Sequence, residues 1–125
     1  MRVENMFNFT NIMGAAMHGQ IQRLAVLNNN ITNVDTPGFK RSEVHFQDQL
    51  QRAVNNFRST GQLDLSGVRP RVGIEYGHLI HRLDENNVDI EFEMAQLYQT
   101  QMRYNLMSGS VMNHHRILQA VINMR

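Results

Sequence analysis

Residues 27–41 decide the architecture of this chain, because they combine a helix end with a tight turn. They read Leu27-Asn28-Asn29-Asn30-Ile31-Thr32-Asn33-Val34-Asp35-Thr36-Pro37-Gly38-Phe39-Lys40-Arg41. Pro37 sets φ at the first central position of a turn and Gly38 accepts positive φ at the second, so residues 36–39 suit a type II turn. Asn30, Asn33 and Asp35 can hydrogen-bond nearby backbone and close the helix end. The stretch therefore predicts a helix, a sharp turn and a returning chain.

Upstream of this turn, apolar residues recur at steps of three and four, which is the spacing of one face of a helix. We expect a helix over about residues 7–33, which the Pro37-Gly38 pair prevents from continuing. Its predicted packing residues are Met13, Met17, Ile21, Leu24, Leu27 and Ile31.

A second periodic segment closes the chain and predicts a helix over about residues 89–124. Asn86, Asn87 and Asp89 are the candidate N-caps, and Glu91 and Glu93 in the first turn complement the positive end of the helix dipole. The predicted packing residues of this helix are Ile90, Met94, Leu97, Tyr104, Val111, Leu118 and Ile122.

The middle of the chain has a weaker pattern. Val44, Phe46 and Leu50 can begin a short helix or an extended piece, and residues 71–76 alternate enough for one short strand. We predict an all-α fold in which long N- and C-terminal helices pack as a coiled-coil hairpin, with an irregular middle segment containing at most a short strand or hairpin. The expected parts are an N-terminal helix in residues 1–35, the turn and an outward-facing middle in residues 36–88, and a C-terminal helix in residues 89–125.

The composition indicates a surface that other protein covers. Only 18% of the 125 residues are charged, against about 25% in ordinary globular domains, whereas 14 Asn and 10 Gln supply amides. A two-helix hairpin leaves half of each helix facing water, and here that half includes Met102, Met107 and Met112. Such an apolar flank marks a partner surface. Copies of the chain packed side by side would cover it.

Several classes of protein are excluded by charge and composition. The net charge is +1 with no basic stripe, so we expect no nucleic-acid partner. The chain has no Cys, which excludes disulfides, thiolate zinc sites and a thiol nucleophile. Its longest apolar run, residues 12–17, is far shorter than the roughly 20 residues that span a bilayer. Residues 1–5 lack a basic segment followed by an apolar core, so we expect no cleaved secretory signal.

Histidine pairs are the candidate metal ligands, at His78-x-x-His81 and His114-His115. Adjacent helical residues point about 100° apart, and no Cys or carboxylate cluster completes a ligand set. The sequence also lacks the Gly-x-Ser-x-Gly elbow of a serine nucleophile. We therefore predict no metal, no cofactor, no catalytic residues and no small-molecule substrate, and we expect that the protein is not an enzyme.

Two blocks of sequence resemble those of bacterial flagellar axial proteins. The first is Asp35-Thr36-Pro37-Gly38-Phe39-Lys40; the second is Asn86-Asn87-Val88-Asp89-Ile90-Glu91, with Glu93-Met94-Ala95-Gln96-Leu97 and Met102-Arg103-Tyr104 after it. Both are similar to the proximal rod family FlgB in particular, although Thr32 stands where that family often has Ala. The signature-turn residues that the resemblance selects are Asn30, Asn33, Asp35, Thr36, Pro37, Gly38, Phe39 and Lys40.

The resemblance implies a structural subunit at the base of the flagellar rod, next to the membrane ring. Its terminal helices would form the inner layer of a tube that transmits torque and encloses an export channel. The implied partners are other copies of the chain, FlgC-like and further rod proteins, a FliE-like adaptor and the flagellar type III export apparatus. The implied location is the basal body, in a rod that crosses the periplasm, reached without a cleaved signal peptide.

Other interpretations of the same pattern remain. A small self-contained helical adaptor or chaperone would be a well-folded monomer with cooperative melting, whereas a rod subunit would have terminal segments ordered only on assembly. The sister rod protein family FlgC is similar in size but usually differs in the C-terminal block. A membrane-surface helix would need a polar face rich in Lys and Arg, which this chain lacks.

Overall fold

The computed structural model describes residues 3–77 and 82–124 of the chain. Two long helices dominate it: α1 spans Val3–Thr32 and α3 spans Ile90–Asn123. At 1.5 Å per residue they are about 45 Å and about 51 Å long. Both lie within a few residues of the helices that periodicity predicts, because a long periodic pattern fixes the type of an element well.

The two long helices pack against each other in antiparallel directions. Near the beginning of α1, the ring centroid of Phe9 lies 4.6 Å from that of His114 in α3. Near the end of α1, the Asn30 side chain hydrogen-bonds Glu93 in the first turn of α3. The predicted helical hairpin is confirmed.

The middle of the chain contains a small antiparallel sheet and a third helix. Strand β1 is Ser42–His45 and strand β2 is Arg71–Ile74, with Val44 opposite Val72. Helix α2, Gln47–Thr60, lies between them in sequence. The mostly helical fold with a two-stranded sheet confirms the predicted fold class, and the strand expected at residues 71–76 is present.

Helix α2 gives the middle more regular structure than the predicted irregular segment. Its apolar residues Leu50, Ala53, Val54 and Phe57 follow helical spacing, and Ala53 is buried. Asp48 in the first turn and Arg58 in the last turn suit the helix dipole. The sequence left helix and extended chain open here, because a 14-residue element gives few periods.

A compact apolar centre lies where α1 meets β1 and α2. Val44 and Phe46 are 1% and 3% exposed, and the Phe46 ring lies directly on the backbone of Gly19, where any Cβ would overlap the ring. The Arg23 guanidinium covers the ring at 5.4 Å from its centroid, which adds a cation–π contact. Phe46 therefore fixes the middle segment onto α1.

Asp89 is the residue that caps α3. Its carboxylate accepts hydrogen bonds from the backbone N–H groups of Glu91 and Phe92, as an N-cap side chain does. Of the three candidate N-caps, Asp89 is the cap, whereas Asn86 and Asn87 are buried and bond other parts of the chain. Within the described residues, no helix is long and apolar enough to cross a membrane.

Candidate functional site

Five buried polar side chains meet where the end of α1, the start of β1 and the start of α3 converge. They are 0–3% exposed, although charged and amide side chains are mostly found at protein surfaces. We call this cluster the polar corner; its members are Asn30, Arg41, Asn86, Asn87 and Glu93.

Glu93 is the centre of the polar corner. One carboxylate oxygen accepts a hydrogen bond from Arg41 Nε at 2.5 Å, and the other accepts from Asn30 Nδ2 at 3.0 Å. The Arg41 guanidinium also lies 5.2 Å from the centroid of the Phe92 ring. Glu93 therefore joins the first turn of α3 to α1 and to the chain that returns after the turn.

Asn30 and Arg23 close the outer edge of β1. The Asn30 amide accepts from the Ser42 N–H and donates to the Ser42 carbonyl, both at 2.9 Å, as a neighbouring strand would. Arg23 Nη2 donates to the Val44 carbonyl at 3.2 Å. Burial, the largest cause, lowers the pKa of Arg23 from its ordinary value, while Glu43 acts to raise it. Side chains of α1 thus replace a third strand.

Asn86 and Asn87 bind the backbone on both sides of the turn. Asn86 Nδ2 donates to the carbonyls of Asn33, Val34 and Thr36 at 2.8–3.0 Å. Asn87 accepts from the Arg41 N–H at 2.7 Å and donates to the Glu75 carbonyl at 2.7 Å. These two amides supply partners for carbonyl and N–H groups that the sheet and the helix leave open.

The signature turn has the predicted geometry. Gly38 has φ of +72°, and the Phe39 N–H donates to the Thr36 carbonyl at 3.2 Å, as in a type II turn. The Gly38 N–H donates to the Asp84 carbonyl at 2.6 Å, and Lys40 Nζ donates to the Glu85 carbonyl. The turn is therefore held by the segment that precedes α3.

The signature residues divide into a buried one and a mostly accessible group. Asn30 is fully buried and bonds distant Ser42 and Glu93 instead of nearby backbone. Asn33 does bond locally, through its Nδ2 to the Asn29 carbonyl. Phe39 and Lys40 are half-buried, and the remaining positions, Asp35, Thr36, Pro37 and Gly38, are exposed.

The structure gives the predicted packing residues three degrees of burial. Only Leu27 is fully buried. Three isoleucines are exposed: Ile21, Ile90 and Ile122. The others are half-buried: Met13, Met17, Leu24, Ile31, Met94, Leu97, Tyr104, Val111 and Leu118.

Sequence reasoning missed the polar members of the core. Arg41 and Glu93 are buried together although 52 positions separate them, and Gln20 and Thr100 are each 2% exposed. A charged residue is predicted to be exposed at the surface when its partner is unknown. One feature of the sequence could have indicated these buried positions: on α3, Glu93 and Thr100 are seven residues apart and therefore share a helix face.

A broad apolar surface lies on the outer side of α3. Its residues are 54–83% exposed: Tyr98, Met102, Leu106, Met112, Ile117, Val121, Ile122 and Met124. Tyr98, Met102 and Leu106 follow each other at steps of four and form one ridge, the feature that packs into the groove of another helix. We call this set the outer face of α3.

The candidate metal ligands do not assemble in the described part of the chain. There, no group of three or more His, Cys, Asp or Glu side chains is placed to hold a metal ion. His114 is half-buried beside Phe9, and His115 is exposed. His78 and His81 lie outside the described residues.

Known proteins with similar sequences belong to the flagellar rod. Residues 11–40 match the family model "Flagella basal body rod protein". The flagellar basal body rod protein FlgB of Borrelia hermsii is 36% identical over 118 residues, covering 80% of this chain and 84% of that protein. FlgB of Borreliella burgdorferi is 30% identical with the same coverage. FlgB of Bacillus subtilis is 32% identical over 63% of this chain and 65% of its own.

These relatives favour a rod subunit over a self-contained adaptor, since they match along most of the chain. The family is a structural one. The turn signature, the helical hairpin and these relatives agree. The chain belongs to the FlgB family of flagellar basal body rod proteins.

Proposed function

We propose that this flagellar rod subunit occupies the proximal end of the rod and assembles through its terminal helices into a tube with a central export channel. The outer face of α3 is the observation that carries the proposal. Seven large apolar side chains of α3, and Met124 just after it, are more than half exposed in the single chain. A soluble monomer rarely leaves so much apolar surface of one segment uncovered.

The proposed occupant of the outer face is another rod subunit, mainly a further copy of this chain. Helices from neighbouring copies would seat the ridge of Tyr98, Met102 and Leu106 in their grooves, burying area at about 25 cal/mol per Å². In this arrangement residues 1–35 and 89–125 form the inner layer, and residues 36–88 face outward. The half-buried packing residues of both helices would complete their burial between copies.

The proposed individual partners follow from the same position in the flagellum. At the base of the rod the subunit would contact FlgC-like and further rod proteins, a FliE-like adaptor at the membrane ring and the type III export apparatus. We propose that the protein leaves the cytoplasm through that apparatus without a cleaved signal and becomes part of the rod that crosses the periplasm. The family supports the association with rod proteins.

Deletion of the gene with complementation tests the proposal. We expect the deletion strain to be non-motile, with basal bodies that keep the membrane ring and lack the rod. A gene for Met102→Glu with Leu106→Glu should fail to restore rods, because two carboxylates on the ridge oppose burial. The purified variant should melt like the wild-type chain, since both positions are about two-thirds exposed.

The matched control adds the same charge at exposed positions that are already polar, Gln101→Glu with Gln119→Glu. It should restore motility. Rods built by the ridge variant would show that the outer face of α3 is not an assembly surface. Motile deletion cells with complete rods would show that the chain is dispensable for the rod.

A further inference from the structure

The connection between α1 and α3 does not determine how they align. A short loop fixes the register of a helical hairpin, but here the whole middle, residues 33–89, lies between the two helices. Chain length alone therefore does not fix the register. Contacts must set it: those of Asn86 and Asn87, which precede α3, with the turn and the returning chain, and those of Glu93 in the first turn of α3.

The apolar residues of the hairpin discriminate poorly between registers. On α3 the half-buried residues Leu97, Tyr104, Val111 and Leu118 repeat every seven positions, as do Met17, Leu24 and Ile31 on α1. A slide of seven residues, about 10 Å, therefore places apolar side chains against apolar side chains again. Repetitive seams of this kind need a polar residue to select one alignment.

We propose that the buried Arg41–Glu93 pair, with Asn30, is the lock that selects the register of the α1–α3 hairpin. Glu93 supplies the carboxylate from α3, Asn30 supplies a donor from α1, and Arg41 supplies the charge from the chain that returns after the turn. All three are at most 3% exposed. A slide by one heptad removes the Glu93 carboxylate and leaves the buried Arg41 charge with only the partly exposed Glu43 carboxylate, 3.8 Å away, which is unfavourable.

The absence of cysteine makes the register measurable by cross-linking introduced thiols of the purified chain with a short bifunctional thiol reagent. Phe9→Cys with His114→Cys reports the native register, because the two rings are neighbours. Phe9→Cys with Met107→Cys and Phe9→Cys with Val121→Cys report slides of seven residues in either direction. Those pairs are displaced by about 10 Å along the helices in the native register, so a short reagent reaches them only after the slide. In the otherwise unchanged chain, only the first pair should cross-link.

Removing the charges of both Arg41 and Glu93 distinguishes the effect of the pair on hairpin register from its effect on stability. Glu93→Gln alone should lower Tm by roughly 10 °C, because it removes the buried carboxylate nearest to Arg41 and leaves only the more distant Glu43. Arg41→Met with Glu93→Met should recover most of that loss, since apolar groups replace the pair, yet should cross-link through a shifted pair as well as the native one. The matched control is Glu43→Gln, which removes an equal charge beside Arg41 at a partly exposed position 3.8 Å away. It should cross-link only through residues 9 and 114.

Moving the carboxylate provides a second test that does not depend on the double apolar variant folding. Thr100 is buried seven residues after Glu93, so Glu93→Gln with Thr100→Glu should shift α3 by one heptad and cross-link residues 9 and 121. Cross-linking of only the native pair in the folded variants would overturn the proposal. Loss of helical circular dichroism in both would assign the pair to stability alone and would also overturn it. Neither readout involves rod assembly, so this proposal and the proposed function fail separately.

Discussion

At the scale of single residues, three buried asparagines act through internal hydrogen bonds. Asn30, Asn86 and Asn87 use their amides as substitutes for peptide groups and bond backbone outside the regular helix and sheet pattern. An amide suits this role because it carries a donor and an acceptor with the geometry of the peptide unit. These three residues therefore build the joint between the helices and the middle.

Replacement of Asn86 by Ala should show how much one such amide contributes to the free energy of unfolding. The change removes the Nδ2 donor that the carbonyls of Asn33, Val34 and Thr36 share, and it removes the acceptor of the buried Val88 N–H. We expect a loss of about 2–3 kcal/mol in the free energy of unfolding, measured by urea denaturation. Asn55→Ala, an exposed amide on α2, should change it by less than about 0.5 kcal/mol. Equal effects at the two positions would mean that the Asn86 amide adds nothing to the donors that these carbonyls keep, namely the N–H groups of Thr36 and Phe39 and the Arg82 guanidinium.

At the scale of elements, two glycines of α1 have different surroundings and therefore different roles. Gly19 lies under the Phe46 ring, whereas nothing lies within 4 Å of the Cβ position of Gly14. The same residue type thus has a packing role at one position of the helix. At the other it only weakens the helix.

Alanine at these two glycines should have opposite effects. Gly14→Ala should raise the free energy of unfolding by about 0.5–1 kcal/mol through helix propensity. Gly19→Ala should lower it by about 1–3 kcal/mol, because the new methyl group displaces the ring that anchors the middle. Thermal melts of the two variants, followed by circular dichroism, provide the comparison. A stabilised Gly19→Ala chain would show that Phe46 moves aside at little cost.

At the scale of the whole molecule, the sequence predicted what depends on local pattern. The helix ends near Thr32 and Asn123, the strand beginning at Arg71 and the turn at Gly38 all follow from spacing or from a residue's backbone preference. The pairing of Arg41 with Glu93 could not be predicted from local pattern, because it depends on which distant residues the fold brings together. The sequence left α2 open between helix and extended chain, because a 14-residue pattern is too short to decide between them.

Burial is distributed unevenly along the hairpin, and this determines the stability expected of the free subunit. In the described residues of α3 after Thr100, no side chain is buried, and none is buried in residues 7–15 of α1. The polar corner and the Phe46 contact lie at the other end. Segments with few buried contacts open more readily than the core of a domain.

Amide hydrogen exchange should therefore divide the free chain into two parts. We expect slow exchange in α1 from Ala16 to Ile31 and in the first turns of α3. Exchange in α3 beyond Thr100 should be faster by at least an order of magnitude, since about 1.4 kcal/mol of local stability changes the open population tenfold. The same far segment should become protected in isolated basal bodies, where neighbouring subunits would cover the outer face of α3. Uniform protection of the free chain would instead describe a cooperative monomer, the property expected of a self-contained adaptor.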